Sequence, residues 1–135
     1  MAFWLLKADP DEYGFDALQR DRRTVWDGVA NPQAIGHMRA ARCGDLVLVY
    51  HTASEKAVVG VAEIVSDPVP DPQAERGVVF TLQARRRLPS PVTLAAIRAA
   101  PAFRDFPLVR QPRLSVMPVP APLWNRLMRM AGETV

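Results

Sequence analysis

The chain has 135 residues and a mass of 15.0 kDa, which is the size of one domain with a core of its own. Hydrophobic residues make up 49% of it and charged residues 23%, and this excludes the composition of a disordered chain. The net charge of +3 is small, but 15 of the 17 basic residues are Arg, the side chain that pairs with phosphates and stacks on bases. Weakly anionic partners are therefore favoured, although a GC-rich genome would produce the same bias. We expect one domain over residues 1–135, acting as a monomer.

Cysteine usage and the first residues indicate the compartment. Cys43 is the single cysteine, so the chain can form no internal disulfide and no thiolate zinc cluster. The first apolar run, residues 3–6, is too short for a signal peptide or a membrane span. We expect a cytoplasmic protein with no membrane partner, metal or cofactor.

The first well-specified element in chain order is a helix over residues 32–42. Asn31 can cap it, and Pro32 occupies the first helical position, where its missing N–H costs nothing. The apolar runs 46–50 and 58–65 follow, and both are apolar at nearly every position, as in strands covered on two sides. The polar segment 52–56 between them has hairpin length, so we predict that they pair antiparallel.

A third strand begins at Val78, where apolar and polar residues alternate as far as Arg85, the pattern of a sheet with one solvated face. Helical spacing of apolar residues then predicts a short helix over residues 93–100 and a longer one over 120–130, with Trp124 in the core. Strands of this length with short helices between and after them indicate a mixed α/β (α+β) fold built on a small antiparallel barrel.

The segment from Trp26 to Ala34 carries the clearest chemical signal. An indole there precedes the amide side chains of Asn31 and Gln33 at a helix entry. A nucleobase stacks on an aromatic plane and presents edge donors and acceptors that an amide can match. The segment therefore indicates a reader of bases. Two alternatives stand beside this: Asn31 can act purely as a helix cap, and Trp26 can belong to the core.

Several motifs in order along the whole chain resemble the EVE-domain family of the PUA-like superfamily, and within it the thymocyte nuclear protein group. The motifs are Trp4–Lys7, Asp9–Tyr13, Trp26–Val29, Asn31, Gln33–Ala34, Gly44–Asp45, Tyr50–His51 and Arg113–Val116.

The resemblance implies a PUA-like barrel with a pocket for a modified nucleobase, and it implies roles for seven residues of this chain. By their side-chain chemistry, the aromatic and amide residues would stack on and read the base, His51 would donate a hydrogen bond, and the cations would neutralise phosphates. The implied base-binding residues are Trp26, Asn31, Gln33, Tyr50 and His51, and the implied phosphate-binding residues are Lys7 and Arg113.

Two of these assignments compete with ordinary structural roles. Tyr50 and His51 are consecutive in a strand and point to opposite faces, so at most one faces a given pocket unless the strand ends between them. Lys7 lies beyond an apolar strand, where it can simply be solvated. The chain also departs from the usual family pattern: Ala8, Ala30 and Pro32 stand where the family usually has Ser, Arg and Tyr.

A hydrolytic site assembled from histidine, cysteine, aspartate and serine is the competing enzyme interpretation. The chain has no Gly-x-Ser-x-Gly elbow, no His-Glu-x-x-His pair and no phosphate-cradling glycine loop, so we expect that it is not an enzyme. The residues available for such a site would be His37, His51, Cys43, Asp45 and Ser115.

The function expected from the sequence is recognition of a modified base, a modified cytosine in DNA in preference to RNA, flipped into an aromatic and amide-lined pocket. The alternatives are an RNA-binding PUA-like module, or an adaptor domain whose pocket holds a small ligand or a peptide.

Overall fold

The computed structural model of the protein describes residues 1–133. Its strands are β1 (Phe3–Ala8), β2 (Arg23–Trp26), β3 (Leu46–His51), β4 (Ala57–Ile64), β5 (Val69–Pro70), β6 (Val78–Thr93) and β7 (Val116–Pro118). Its α-helices are α1 (Pro10–Tyr13), α2 (Phe15–Asp21), α3 (Pro32–Ala40), α4 (Leu94–Ala99), α5 (Pro107–Arg110) and α6 (Ala121–Met130), and a short 3₁₀ helix spans Pro101–Phe103.

One curled sheet in the order β2-β6-β4-β3-β1-β7 forms a half-barrel, with β5 paired to β6. The mixed α/β fold class is therefore confirmed, as is the antiparallel pairing of β3 with β4. The expectation of a wholly antiparallel barrel needs one correction, because β1 pairs parallel with β3, from Phe3 opposite Leu46 to Ala8 opposite His51. A parallel neighbour requires a crossover, and the α1, α2, β2 and α3 segments provide it.

The length of β6 causes the curl. This 16-residue strand pairs with β2 and β5 along its first part and with β4 along most of its length. Its register against β4 shifts between Val58 and Gly60 and again between Val61 and Ala62, and such irregularities bend a strand and increase its twist. The sheet therefore wraps, with β2 as the terminal strand at one end and β7 at the other.

The three predicted helices are confirmed, with small changes at their ends. The α3 helix ends at Ala40, two residues earlier than predicted, and α4 begins after Thr93, whose side chain accepts from the Ala96 N–H. The α6 helix buries Trp124, as predicted, in a stack on the Phe3 ring with 4.5 Å between ring centroids. None of the helices within residues 1–133 is long and apolar enough to cross a membrane.

Candidate functional site

A cavity of about 490 Å³ lies where the two ends of the curled sheet come together, a volume typical of small-ligand sites. One wall comes from the end of β1 and from Ser115, just before β7. The other comes from β2 and the loop that follows it, and α1 completes the lining. The lining residues are Lys7, Ala8, Asp9, Glu12, Tyr13, Thr24, Val25, Trp26, Asp27, Gly28, Val29, Ala30 and Ser115.

Trp26 is the largest side chain in this lining. It is the last residue of β2, opposite Phe80 of β6, and it is partly buried and packed against the core. Thr24 lies on the same face of the strand, since side chains alternate along it. The indole is thus held by the sheet while part of it stays accessible from the cavity.

The loop Asp27–Ala30 continues the wall from β2 to α3. Gly28 has φ +74°, a left-handed conformation that glycine adopts without the steric cost other residues bear. The loop ends at Asn31, whose Oδ1 accepts hydrogen bonds from the N–H groups of Gln33 and Ala34, at 2.9 and 3.1 Å. Asn31 therefore fixes the loop to the start of α3 by capping the helix.

The two amide residues that the family resemblance places at the pocket lie at the start of α3. The Oδ1 of Asn31 is occupied by the helix, and Gln33 is exposed on the first turn of α3. Neither residue lines the cavity.

Tyr13 is a lining residue that sequence reasoning missed as a site residue. It ends α1, a single turn that Asp9 caps by accepting from the Asp11 N–H at 2.9 Å. Its hydroxyl donates to Asp21 Oδ2 at 2.8 Å, and burial, together with the nearby Asp21 carboxylate, raises the pKa of Tyr13. The sequence did contain a signal for this role, because Tyr13 belongs to the motif Asp9–Tyr13 that carried the family resemblance.

Tyr50 and His51 lie in β3 and do not line the cavity. Tyr50 is only 4% exposed, and burial raises its pKa. The His51 Nε2 accepts from the Phe15 N–H at 2.9 Å, and its Nδ1 lies 2.8 Å from Glu55 Oε1. Both ring nitrogens are thus engaged within the protein, and the predicted donation from His51 to a base would require one of these contacts to break.

His51 positions the cavity wall indirectly. Its bond to Phe15 fixes the start of α2, directly after the α1 turn that carries Glu12 and Tyr13. The Phe15 ring packs on Gly60 of β4 so closely that a Cβ there would overlap it. The α1–α2 corner is therefore attached to the centre of the sheet at two points.

Lys7 lies at the mouth of the cavity, where its Nζ donates to the Pro112 carbonyl at 2.8 Å. Burial lowers the pKa of this half-buried side chain. Arg113 is exposed directly after Pro112, although it does not line the cavity. Three carboxylates, those of Asp9, Glu12 and Asp27, also line the cavity, so its walls carry more acidic than basic groups.

Of the five residues of the hypothetical hydrolytic site, Ser115 alone lines the cavity. Asp45 accepts from the Trp4 indole and from two backbone N–H groups. His37 packs near the Trp4 ring, with 6.2 Å between ring centroids. Cys43 is exposed beside a second, more open hollow near the first residues of the chain.

The family model for the EVE domain matches residues 2–130. The chain belongs to the EVE-domain family. The NMR structure of Rpa0253 from Rhodopseudomonas palustris is 38% identical, with a TM-score of 0.93, and the alignment covers 98% of this chain and 94% of that one. These matches confirm the resemblance inferred from the motifs.

Two further similarities concern thymocyte nuclear protein 1. The Gallus gallus protein is 35% identical over 80 residues, a match covering 50% of this EVE-domain chain and 33% of the relative, so the chain matches about a third of that relative's length. The structure of human THYN1 in complex with DNA containing 5-methylcytosine has a TM-score of 0.90 and 21% identity, and covers all of both chains. At that identity it shows a shared fold.

Proposed function

We propose that this EVE-domain protein binds nucleic acid that carries a modified base, and that the cavity between β1 and β2 receives the flipped base. The observation that carries the proposal is the accessible indole of Trp26 in a cavity of about 490 Å³. Stacking of one base on an aromatic side chain contributes about 1–3 kcal/mol in single-strand binders. Tyr13 is a second aromatic residue in the same lining.

The family and the human THYN1 complex with 5-methylcytosine DNA support a modified cytosine in DNA as the ligand. The charges of the lining support it too. Carboxylates accept hydrogen bonds from the amino group of cytosine, and Glu12 and Asp27 offer two. Ala8, Val29 and Ala30 are small or apolar parts of the same lining, which leaves room for a substituent at C5.

The strand that carries the base would follow the basic side chains at the cavity mouth. Lys7 and Arg113 are the candidates for contacts to the flanking phosphates, because Lys7 lines the cavity and binds the carbonyl of Pro112, the residue before exposed Arg113. Such contacts weaken as salt rises. The acidic lining itself disfavours a phosphate inside the cavity, so the base would enter and the backbone would stay outside.

The test is a titration with fluorescent oligonucleotides that are identical except for one cytosine or 5-methylcytosine, as single strands, duplexes and RNA. We expect preferential binding of a methylated DNA and a loss of roughly tenfold or more in Trp26→Ala. Gln33→Ala is the matched control, since Gln33 is exposed nearby and outside the cavity. Binding that is equal in wild type and Trp26→Ala would overturn the proposal, and preference for RNA would redirect it to an RNA ligand.

A further inference from the structure

The strand β2 has a free edge, because within residues 1–133 it pairs with β6 alone. The direction of its peptide groups follows from its register. The N–H of Ala84 in β6 donates to the Arg22 carbonyl at 2.9 Å, so Arg22 and Ala84 form a hydrogen-bonded pair. In an antiparallel pair such positions alternate, and the next ones along β2 are Thr24 and Trp26.

Val25 therefore directs its N–H and C=O away from β6. Its partner in the register is Thr81, and both peptide groups of Thr81 are used on the other side of β6. The Thr81 carbonyl accepts from the Val65 N–H at 2.9 Å, and the Thr81 N–H donates to Ser66 Oγ at 2.8 Å. Two independent contacts thus show that Val25 and Thr81 form a non-hydrogen-bonded pair.

The free edge of Val25 lies at the cavity. Val25 is one of the lining residues and is 55% exposed. An extended residue at a strand edge offers one donor and one acceptor side by side, the arrangement that a further strand would satisfy. A pyrimidine with an acceptor ring nitrogen beside an amino donor offers the complementary pair. Cytosine has this arrangement at N3 and N4.

We propose that the main chain of Val25 reads the Watson–Crick edge of the flipped base, with its N–H donating to N3 and its C=O accepting from the N4 amino group. This inference rests on the proposed function and specifies how that site recognises its ligand. It replaces Asn31 and Gln33 as the source of edge recognition. The C5 substituent then lies away from the reading edge, so it is accommodated without contributing to these two hydrogen bonds.

The first arm of the test changes the base. Two DNA oligonucleotides carry either 5-methylcytosine or 3-deaza-5-methylcytosine, in which a C–H replaces N3, so that the acceptor is lost and one hydrogen atom is added. We expect wild-type protein to bind the 3-deaza oligonucleotide roughly tenfold more weakly, the loss typical of a hydrogen bond to a partner left unpaired. Equal binding of the two would overturn the inference.

The second arm changes the protein. Val25→Pro removes the N–H, and proline is tolerated on an edge strand where the N–H faces outward. The preceding Thr24 is already extended, as a residue before proline must be. Val25→Ala is the reference, because it loses the side chain but keeps the N–H. We expect Val25→Pro to bind the 5-methylcytosine oligonucleotide roughly tenfold more weakly than Val25→Ala.

The two arms form a double-mutant cycle. If the Val25 N–H contacts N3, Val25→Pro should bind the 3-deaza and the 5-methylcytosine oligonucleotides with the same affinity. A loss of affinity for the 3-deaza oligonucleotide as large in Val25→Pro as in wild type would overturn the inference. Thermal melting checks that Val25→Pro folds, and an amide-to-ester replacement at Val25 supplies the same deletion if it does not. Failure of wild type to bind the 5-methylcytosine oligonucleotide at all would instead overturn the proposed function itself.

Discussion

Two regions of the curled sheet use their polar groups in opposite ways. At the two ends of β3, Asp45 is 5% exposed and accepts from the Ala2 N–H, the Trp4 indole and the Arg42 N–H at 2.9–3.0 Å, and His51 is satisfied at both nitrogens. At the β2 edge, the peptide groups of Val25 face away from β6, and Val25 lines the cavity beside a partly accessible indole. In the first region, hydrogen bonds within the protein stabilise the fold. In the second, the polar groups remain available to a ligand.

The comparison implies that substitutions on the closed side change stability and that those at the open edge change binding. Both regions contain aromatic residues and carboxylates, so residue type does not separate them. The difference lies in whether each polar group already has a partner inside the protein. Substitutions in one region should leave the other largely intact, except at the α1–α2 corner, where Phe15 connects the sheet to the cavity wall.

The largest expected effect is that of Asp45→Ala. It removes the acceptor of three N–H groups, including the buried Trp4 indole, and we expect a loss of about 3 kcal/mol in the free energy of unfolding. Asp67→Ala is the matched control, since exposed Asp67 accepts only from the Cys43 N–H among residues 1–133, and should cost under about 1 kcal/mol. Urea denaturation measures both, and equal losses would contradict the contrast.

The hydrogen bonds to Asp45 also predict that the protein loses stability at acid pH. Burial raises the pKa of this carboxyl, but hydrogen bonds from Ala2, Trp4 and Arg42 outweigh burial and hold the pKa below its usual value. Because the folded pKa is depressed, the stabilisation is present above the unfolded value of about 3.9 and is lost as pH falls through the folded pKa. Melting temperatures from pH 6 to pH 2 test this, and Asp45→Asn should show a weaker decline.

Two glycine substitutions should change the free energy of unfolding in opposite directions. Gly60→Ala forces a methyl group into the Phe15 ring and should cost about 2 kcal/mol through overpacking. Gly36→Ala adds a methyl to open space on the helix α3 and should stabilise by about 0.5–1 kcal/mol. Since Phe15 anchors the corner that carries Tyr13, Gly60→Ala should also weaken base binding, and unchanged affinity would argue against that link.

The smallest effect is expected for Lys7→Met, on the open side. The variant keeps the apolar stem and loses the ammonium, so the slope of log affinity against log salt should fall by about one for one phosphate contact. Arg126→Met, on the exposed face of α6, serves as the control. Identical slopes in wild type and Lys7→Met would remove Lys7 from the phosphate contacts.

Periodicity was sufficient to predict the strands β3 and β4, the first part of β6, and the helices α3, α4 and α6. Asn31 and Pro32 specified the start of α3, and the apolar runs around residues 52–56 specified the β3–β4 hairpin. The parallel pairing of β1 with β3 was not predictable in this way, because it depends on a crossover between segments more than 35 residues apart. Local spacing carries no information about which strand a distant segment will join.

The candidate site was predicted only in part. Trp26 and Lys7 do line the cavity, and a turn after the indole was the useful signal. Asn31 and His51 have side chains suited to ligands, but the fold uses them to cap α3 and to hold α2. Val25 has an apolar side chain, and its relevance comes from a peptide group whose direction is set by the register with β6.

The central claim is that the ligand enters at the open β2 edge. The most direct test is an NMR titration of the ¹⁵N-labelled protein with single-stranded DNA carrying one 5-methylcytosine. We predict saturable shifts centred on Thr24–Ala30, Tyr13 and Ser115, including the Val25 amide, with the Phe15 and Trp4 environments little changed. Saturable shifts centred instead on the hollow beside Cys43 and Arg42, with none along β2, would contradict the account.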